Sequence, residues 1–218
     1  MFITQAPHPL LRTLTFETIL PQPLGQFPSP PWLQELLKLH PESDPRLAQL
    51  PPREEIFKAY RQLLRWGGFK ASGRSKPAAE YLDRTARTGQ LPTINAAVDV
   101  LNAVSLQTGV PIGVIDLDLA QPPLHIDLGQ AGEEYIFNRS GQEMHLEGLI
   151  CLRDAQGPCA NPVKDSQRTK TNENTKRTLT LVWSSLDCSA PAQLAYQWQQ
   201  ELLRQLGAEV REVEVKCL

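Results

Sequence analysis

Residues 91–118 constrain the fold more than any other stretch, because they combine a helix, a helix stop and a buried strand. Polar side chains recur every three or four positions in the first half, which places them on one face of a helix. These side chains are Asn95, Asp99, Asn102 and Ser105. Gly109 and Pro111 predict the helix end, and residues 112–118 predict a strand that ends in two carboxylates. This arrangement can line a polar pocket, and a surface helix followed by an ordinary strand fits the pattern as well.

The remaining pattern predicts an α+β fold with mixed β-sheets packed with helices. Helices are predicted at residues 32–39, after the proline pair 51–52, after Pro77 and after Pro191. Strands are predicted at 13–20, 144–154, 178–183 and 208–216, and residues 125–137 predict a strand, a turn and a second strand. We interpret the chain as a main domain of residues 53–218. Residues 1–52 form an N-terminal extension packed on it, made of a strand, a proline-rich link, a short helix and an irregular connector from residue 41.

Composition excludes several classes of protein. With 41% hydrophobic and 21% charged residues the chain is typical of soluble globular proteins. We find neither a signal peptide nor an apolar run near the ~20 residues that span a bilayer, so we expect a cytoplasmic protein with no membrane partner. The four cysteines form no C-x-x-C pair, and neither cysteine nor histidine spacing indicates a metal. Phosphate-binding glycine loops, dinucleotide fingerprints and nucleophile elbows are absent as well. We therefore expect no metal and no cofactor.

Charge is distributed unevenly although the net charge is only -2. Nine basic residues face four acidic ones over residues 53–87, the balance reverses over 91–160, and residues 164–177 are basic again. Two basic segments favour contact with phosphates, whereas solvated faces of opposite sign would give the same pattern. One basic loop precedes a helix N-terminus, where anions are stabilised. The candidate RNA-binding residues are Lys70, Arg74, Ser75, Lys76, Lys164, Arg168 and Lys170.

Several motifs together resemble the tRNA-binding and editing domain of the bacterial phenylalanyl-tRNA synthetase β subunit. The chain is still more similar to free-standing proteins that consist of this domain alone. The resemblance covers about residues 61–183. Its motifs are I-N-x-x-V-D-x-x-N at 94–102, P-x-G-x-x-D-L-D at 111–118, a glycine–glutamate turn at 132–133 and the basic loop at 161–175.

The resemblance implies a module that takes the acylated 3′ end of a tRNA and hydrolyses the ester of a wrong amino acid. Positioning a water and holding the carbonyl can accelerate this reaction without a covalent nucleophile. Asn95 and Asp99 are the implied catalytic pair, orienting the water or the terminal adenosine. Asp116 or Asp118 would pair with the α-ammonium group. The implied substrate-binding residues are Asn102, Ser105, Gly113, Asp116, Asp118, Glu133, Asp165, Thr169 and Thr171.

One position departs from the family pattern. Where the synthetase domains typically read P-L-H-A-F-D, this chain has Gly113 in place of the histidine. Specificity for tyrosine is therefore not carried over. Three functions stay open: a hydrolase that deacylates mischarged tRNA in trans, a non-catalytic RNA-binding module, and a pocket for a free amino acid or similar metabolite. We expect tRNA as the partner and no DNA.

Overall fold

A computed structural model describes residues 1–39, 44–89 and 91–218, so residues 41–43 of the predicted connector lie outside it. Its α-helices are α1 (Pro31–Leu36), α2 (Arg53–Arg65), α3 (Ala78–Thr88), α4 (Ala96–Thr108) and α5 (Ser189–Gln205). Its strands are β1 (Phe2–Gln5), β2 (Leu11–Ile19), β3 (Ile112–Asp116), β4 (His125–Leu128), β5 (Glu134–Ile136), β6 (Glu143–His145), β7 (Ile150–Asp154), β8 (Gly157–Ala160), β9 (Arg177–Ser185), β10 (Glu209–Glu212) and β11 (Glu214–Cys217).

The strands of the described residues form two sheets and one separate hairpin. The first sheet has the order β11-β1-β4-β7-β8, with β1 parallel to both of its neighbours. The second has the order β10-β2-β9-β3 and is antiparallel throughout. Strands β5 and β6 pair only with each other. The α+β class with mixed sheets, predicted from the sequence, is confirmed.

Helix α4 packs against α1, α3, α5 and β3, and it has the predicted ends. Asn95 begins it, because its Oδ1 accepts a hydrogen bond from the Val98 N–H at 3.0 Å. Gly109 ends it in the left-handed conformation at φ 76°, which favours glycine. Most of its side chains are buried, on every face, so the predicted polar stripe lies largely inside the protein. Strand β3 follows and is fully buried, as predicted.

The N-terminal 52 residues contribute strands to both sheets. Strand β1 lies between β4 and β11, and β2 lies between β9 and β10. Strand β2 pairs with β9 along its whole length, from Leu11 opposite Ser185 to Ile19 opposite Arg177. These strands therefore share backbone hydrogen bonds with strands of residues 53–218.

The C-terminal segment differs from the single strand that its alternation predicts. It forms β10 in one sheet and β11 in the other, separated by the buried Val213. The Val213 carbonyl accepts a hydrogen bond from the Thr15 hydroxyl at 2.7 Å, and the Val213 N–H donates to the Thr15 carbonyl at 3.3 Å. This anchoring on β2 marks the point at which the chain passes between sheets. Strands β1 and β8 were not predicted, because both are short and lack clear alternation.

A second, smaller apolar cluster lies beneath the β5–β6 hairpin. It joins Leu64 at the end of α2 to Met144 of the hairpin and to Cys151 of β7. The hydroxyl of Tyr135 donates a 2.5 Å hydrogen bond to the Lys164 carbonyl, so the hairpin also holds the loop that follows β8. This packing positions the surface that carries most of the predicted RNA-binding residues.

Candidate functional site

A groove of about 820 Å³ lies between the loop after α2 and the β5–β6 hairpin. A second cavity of about 330 Å³ adjoins it, and both are lined by Arg74 and Lys164. Together they are called the basic groove here, for five predicted RNA-binding residues that line one or both cavities. These are Lys70, Arg74, Ser75, Lys76 and Lys164. The opposite wall, on the hairpin side, carries the acidic residues Glu143 and Glu147.

Two backbones touch at one edge of the groove. A Cβ atom added to Gly67 would overlap the carbonyl of Gly148, and one added to Gly148 would overlap the carbonyl of Gly67. Gly148 also has φ 71°, in the region that favours glycine. The two segments therefore approach more closely than any side chain would allow.

Arg74 and Lys164 are neighbouring cations where the two cavities meet. Desolvation lowers the pKa of Lys164, and the positive charge of Arg74 lowers it further. Neither side chain forms an ion pair with a carboxylate in the described part of the chain, whereas Lys76 pairs with Glu80 at 3.2 Å. The Lys164 ammonium instead lies 4.0 Å from the ring centre of Phe137. An anion bound here would relieve the repulsion between the two cations.

Arg168 and Lys170, also predicted to bind RNA, point elsewhere. The Arg168 guanidinium donates two hydrogen bonds, of 2.7 and 2.8 Å, to Asp154, whose side chain is fully buried. The Lys170 ammonium donates to the Phe137 carbonyl, and desolvation lowers its pKa. Both side chains thus have structural partners, and neither lines the groove.

Of the four polar residues predicted at the start and along one face of α4, two are fully buried and two are half-buried. Asp99 is fully buried, and its burial raises its pKa. Ser105 is equally buried and donates a 2.6 Å hydrogen bond to the Val110 carbonyl. Asn95 and Asn102 are half-buried. The Asn95 amide donates to the Thr171 hydroxyl at 3.2 Å, so two residues predicted from distant segments meet.

Three other predicted carboxylates also have partners within the chain. Asp116 is buried and accepts hydrogen bonds from the Thr175 hydroxyl at 2.6 Å and from the Asp118 N–H at 2.9 Å. The exposed Asp118 pairs with Arg177 at 3.1 Å. The remaining one, Glu133 in the glycine–glutamate turn, accepts two hydrogen bonds from the Arg153 guanidinium, and this ion pair lowers the pKa of Glu133.

Asp165 lies beside Gly113 of β3. A Cβ atom at Gly113 would lie 3.1 and 3.3 Å from the two carboxylate oxygens of Asp165, and 3.5 Å from Nε1 of Trp183. The indole is fully buried, and its N–H has no acceptor among the described residues. Asp165 itself is half-buried. Thr169 is fully buried nearby in sequence, with its hydroxyl donating to the Cys159 carbonyl at 3.0 Å.

Desolvation raises the pKa of Asp165 to about 7. Three influences oppose this rise: the Asn161 N–H, which donates to Oδ1 at 3.3 Å, the positive charge of Lys170, and the Val114 N–H. Burial outweighs them because no cation forms an ion pair with this carboxylate in the described structure. Asp165 therefore changes protonation state near neutral pH.

Sequence reasoning missed Phe137 and Trp183 as parts of the site. Phe137 lines the groove, stacks on Lys164 and binds Lys170 through its carbonyl. Its place at the end of an alternating segment gave no functional signal. Trp183 lies in an apolar strand and is fully buried, as a core residue would be. Its side-chain N–H has no hydrogen-bond partner among the described residues, which no sequence pattern indicates.

Comparisons with known proteins agree with this architecture. The family model described as B3/4 domain matches residues 69–184. The phenylalanine–tRNA ligase β subunit of Carboxydothermus hydrogenoformans is 31% identical over 103 residues, which are 46% of this chain and 13% of that protein. The crystal structure of an N-terminal fragment of the phenylalanyl-tRNA synthetase β subunit from Pyrococcus horikoshii has a TM-score of 0.55 at 14% identity. It covers 99% of this chain and 52% of the fragment, and it supports a common fold.

The chain spans only 13% of the Carboxydothermus hydrogenoformans ligase subunit and 52% of the Pyrococcus horikoshii fragment. The matched region of residues 69–184 contains Lys70, Arg74 and Lys164 of the basic groove, and also Gly113 and Asp165. No helix in the described residues is long and apolar enough to cross a membrane.

Proposed function

Since the chain belongs to the B3/4 domain family, we propose that it binds tRNA through the basic groove and deacylates mischarged aminoacyl-tRNA in trans. The relative in Carboxydothermus hydrogenoformans is a tRNA ligase subunit, which makes tRNA the first nucleic acid to consider. A cytoplasmic location, where aminoacyl-tRNA is used, is part of the proposal.

The observation that carries the binding proposal is the pair of neighbouring cations Arg74 and Lys164, neither of which has a carboxylate partner among the described residues. Two like charges without a carboxylate partner destabilise the empty groove, and a phosphate between them would stabilise both. Lys70 extends the positive surface along the larger cavity. Phe137 adds an aromatic ring to the same wall, where a base can stack in single-stranded RNA.

The contact between Asn95 and Thr171 supports the deacylation part. Both side chains are half-buried and therefore retain access to solvent, and their amide and hydroxyl can orient a water by hydrogen bonds. The ester between an amino acid and a ribose hydroxyl is reactive enough that an oriented water provides useful acceleration. The internal partners of Asp99, Asp116 and Glu133 favour the non-catalytic RNA-binding module as the second candidate.

A binding experiment tests the first part of the proposal. We expect Arg74→Gln and Lys164→Gln each to weaken tRNA binding and to reduce the slope of log Kd against log salt concentration by up to about 1. Lys58→Gln is the matched control, because this exposed lysine lines neither cavity of the groove. Equal salt slopes for all four proteins would contradict binding through the groove.

Incubation with a panel of aminoacylated tRNAs tests the second part. We expect the chain to release at least one amino acid faster than the buffer background. Specific binding without release of any amino acid would replace the hydrolase by the non-catalytic module. Binding of a free amino acid that is insensitive to salt, together with no binding of tRNA, would favour a metabolite pocket instead.

A further inference from the structure

We propose that the smaller cavity of the basic groove is a nucleotide site of its own, in which a base stacks on Tyr81 and a phosphate lies between Arg74 and Arg84. The inference rests on the proposed function and names the class of ligand, a single-stranded RNA segment that passes from one cavity into the other. Neither Tyr81 nor Arg84 belongs to the RNA-binding residues predicted from the sequence.

Tyr81 places an exposed aromatic ring at this cavity. It lines the cavity and is 59% exposed, whereas the other three tyrosines are buried or half-buried. Helix α3 buries Ala79 and Leu82 instead, so the tyrosine ring lies outside the apolar contacts of its own helix. A ring with a free face beside a cationic cavity is the arrangement on which bases of single-stranded RNA stack.

Arg84 lies next to this ring, one turn further along α3. Its guanidinium carbon is 5.6 Å from the centre of the Tyr81 ring. Arg84 is exposed and forms no ion pair with a carboxylate among the described residues, in contrast to Arg87, which pairs with Asp83 at 2.8 Å. The charge of Arg84 is therefore open to an anion.

Ion pairs already neutralise the carboxylates that line the smaller cavity. Glu80 accepts a hydrogen bond from Arg61 at 2.6 Å, and the same guanidinium pairs with Glu54 at 3.0 Å. The third carboxylate, Asp83, pairs with Arg87. Three cations that line this cavity have no carboxylate partner in the described part of the chain, and their charge is left for phosphates. These are Arg74, Arg84 and Lys164.

The order of groups along the basic groove matches a single RNA strand. Arg74 and Lys164 line both cavities, with Phe137 in the larger one and Tyr81 in the smaller one. Ring, cations and ring thus follow one another as base, phosphate and base do along a strand. The volumes of about 820 and 330 Å³ fall in the range of roughly 300–1,000 Å³ that small ligands occupy. Bases within a duplex are stacked on each other and cannot offer their faces to either ring.

Binding of intact tRNA, and of tRNA whose single-stranded 3′ nucleotides have been removed, tests the inference on the full chain. We expect Tyr81→Ala to weaken binding of intact tRNA by about 5- to 150-fold, which corresponds to one lost base stack. Tyr81→Phe is the matched control and should stay within about twofold of wild type, because it keeps the ring. Arg84→Gln should reduce the slope of log Kd against log salt concentration by up to about 1.

The trimmed tRNA identifies the part of the RNA that the cavity holds. Wild type and Tyr81→Ala should bind it with equal Kd, and both should bind it more weakly than wild type binds intact tRNA. An unchanged Kd of Tyr81→Ala for intact tRNA, with a weakened Arg74→Gln, would overturn the second nucleotide site and leave the proposed function standing.

Two further results would also overturn the inference. Equal losses in Tyr81→Phe and Tyr81→Ala would show that the hydroxyl, and not a stacked ring, contacts the RNA. An undiminished effect of Tyr81→Ala on trimmed tRNA would place another part of the tRNA in the cavity. If the wild-type chain binds no tRNA at all, the proposed function falls and the nucleotide site falls with it.

Discussion

The hydroxyl of Ser29 donates a 2.5 Å hydrogen bond to Oδ2 of Asp99, and the Ile94 N–H donates to Oδ1 at 2.8 Å. Asp99 thereby joins the segment before α1 to the first turn of α4. A carboxylate near a helix N-terminus is also stabilised by the free N–H groups of that turn. These contacts describe a residue that fixes the start of α4.

We expect Asp99→Ala to lower the free energy of unfolding by about 1–3 kcal/mol, because it leaves buried donors without an acceptor. Urea denaturation measures the change, and Ser29→Ala should reproduce only part of it. The tRNA Kd of Asp99→Ala should stay close to that of the wild type at temperatures where the variant is folded. A variant of unchanged stability that loses deacylation would restore the catalytic role implied by the family resemblance.

Asp165 should make stability depend on pH in the direction opposite to an ordinary paired carboxylate. Its folded-state pKa of about 7 lies above the value of about 3.9 for an exposed aspartate, so the folded protein binds the proton more tightly. The stabilisation by this proton is complete below about pH 4 and is lost as pH rises towards 7.

We therefore expect the difference in unfolding free energy between Asp165→Asn and wild type to shift in favour of the variant by roughly 1–2 kcal/mol from pH 4 to pH 8, after discounting for partial exposure. Denaturation of both proteins at several pH values measures this difference and cancels the contribution of all other groups. A difference that is independent of pH would show that Asp165 has an ordinary pKa.

Arg168→Gln should affect stability rather than RNA binding. Burial alone would raise the pKa of Asp154, but hydrogen bonds from Arg168 and from two backbone N–H groups lower it overall. Removal of the guanidinium leaves this buried carboxylate without its charge partner, which costs about 3 kcal/mol. Arg211→Gln, which breaks only the exposed pair with Glu209, should have little effect on denaturation. An altered salt slope of tRNA binding in Arg168→Gln would instead support a phosphate contact.

Gly67→Ala should destabilise the protein by about 1–3 kcal/mol or more, because the new methyl group overlaps the Gly148 carbonyl. Gly89→Ala is the matched control, since its Cβ would have no neighbour closer than 4.0 Å and its backbone is extended. Thermal denaturation compares the two variants. Equal melting temperatures would mean that the loop after α2 moves away without cost.

The sequence predicts the elements well where a local signal fixes them. The Asn95 cap, the Gly109 stop and the start of α2 after two prolines are local, and the structure has each of them. The α+β class and the resemblance to the synthetase domain are confirmed for the same reason, since both rest on motifs and periodicity. The break at Val213 depends on Thr15, which is almost two hundred positions away, and no local pattern contains it.

The site was predicted less completely, because residue type does not reveal the partner. Arg168 and Lys164 lie in the same basic loop and have similar side chains. Arg168 nevertheless forms an ion pair with the buried Asp154, whereas Lys164 lines the groove. Asp116 is buried and accepts a hydrogen bond from a threonine hydroxyl, whereas the half-buried Asp165 forms no ion pair with any cation of the described residues. These differences arise from packing between strands and loops that are distant in sequence.

The contact between Gly67 and Gly148 determines how the groove can respond to a ligand. Elsewhere on a protein surface, rotamer changes let an opening widen or narrow, but two touching backbones have no rotamers to change. The distance between these two backbone segments is therefore fixed by the chain itself. Under the proposed function, an RNA strand would have to fit this edge as it stands, and a strand too wide for it would be excluded even if its phosphates matched the cations.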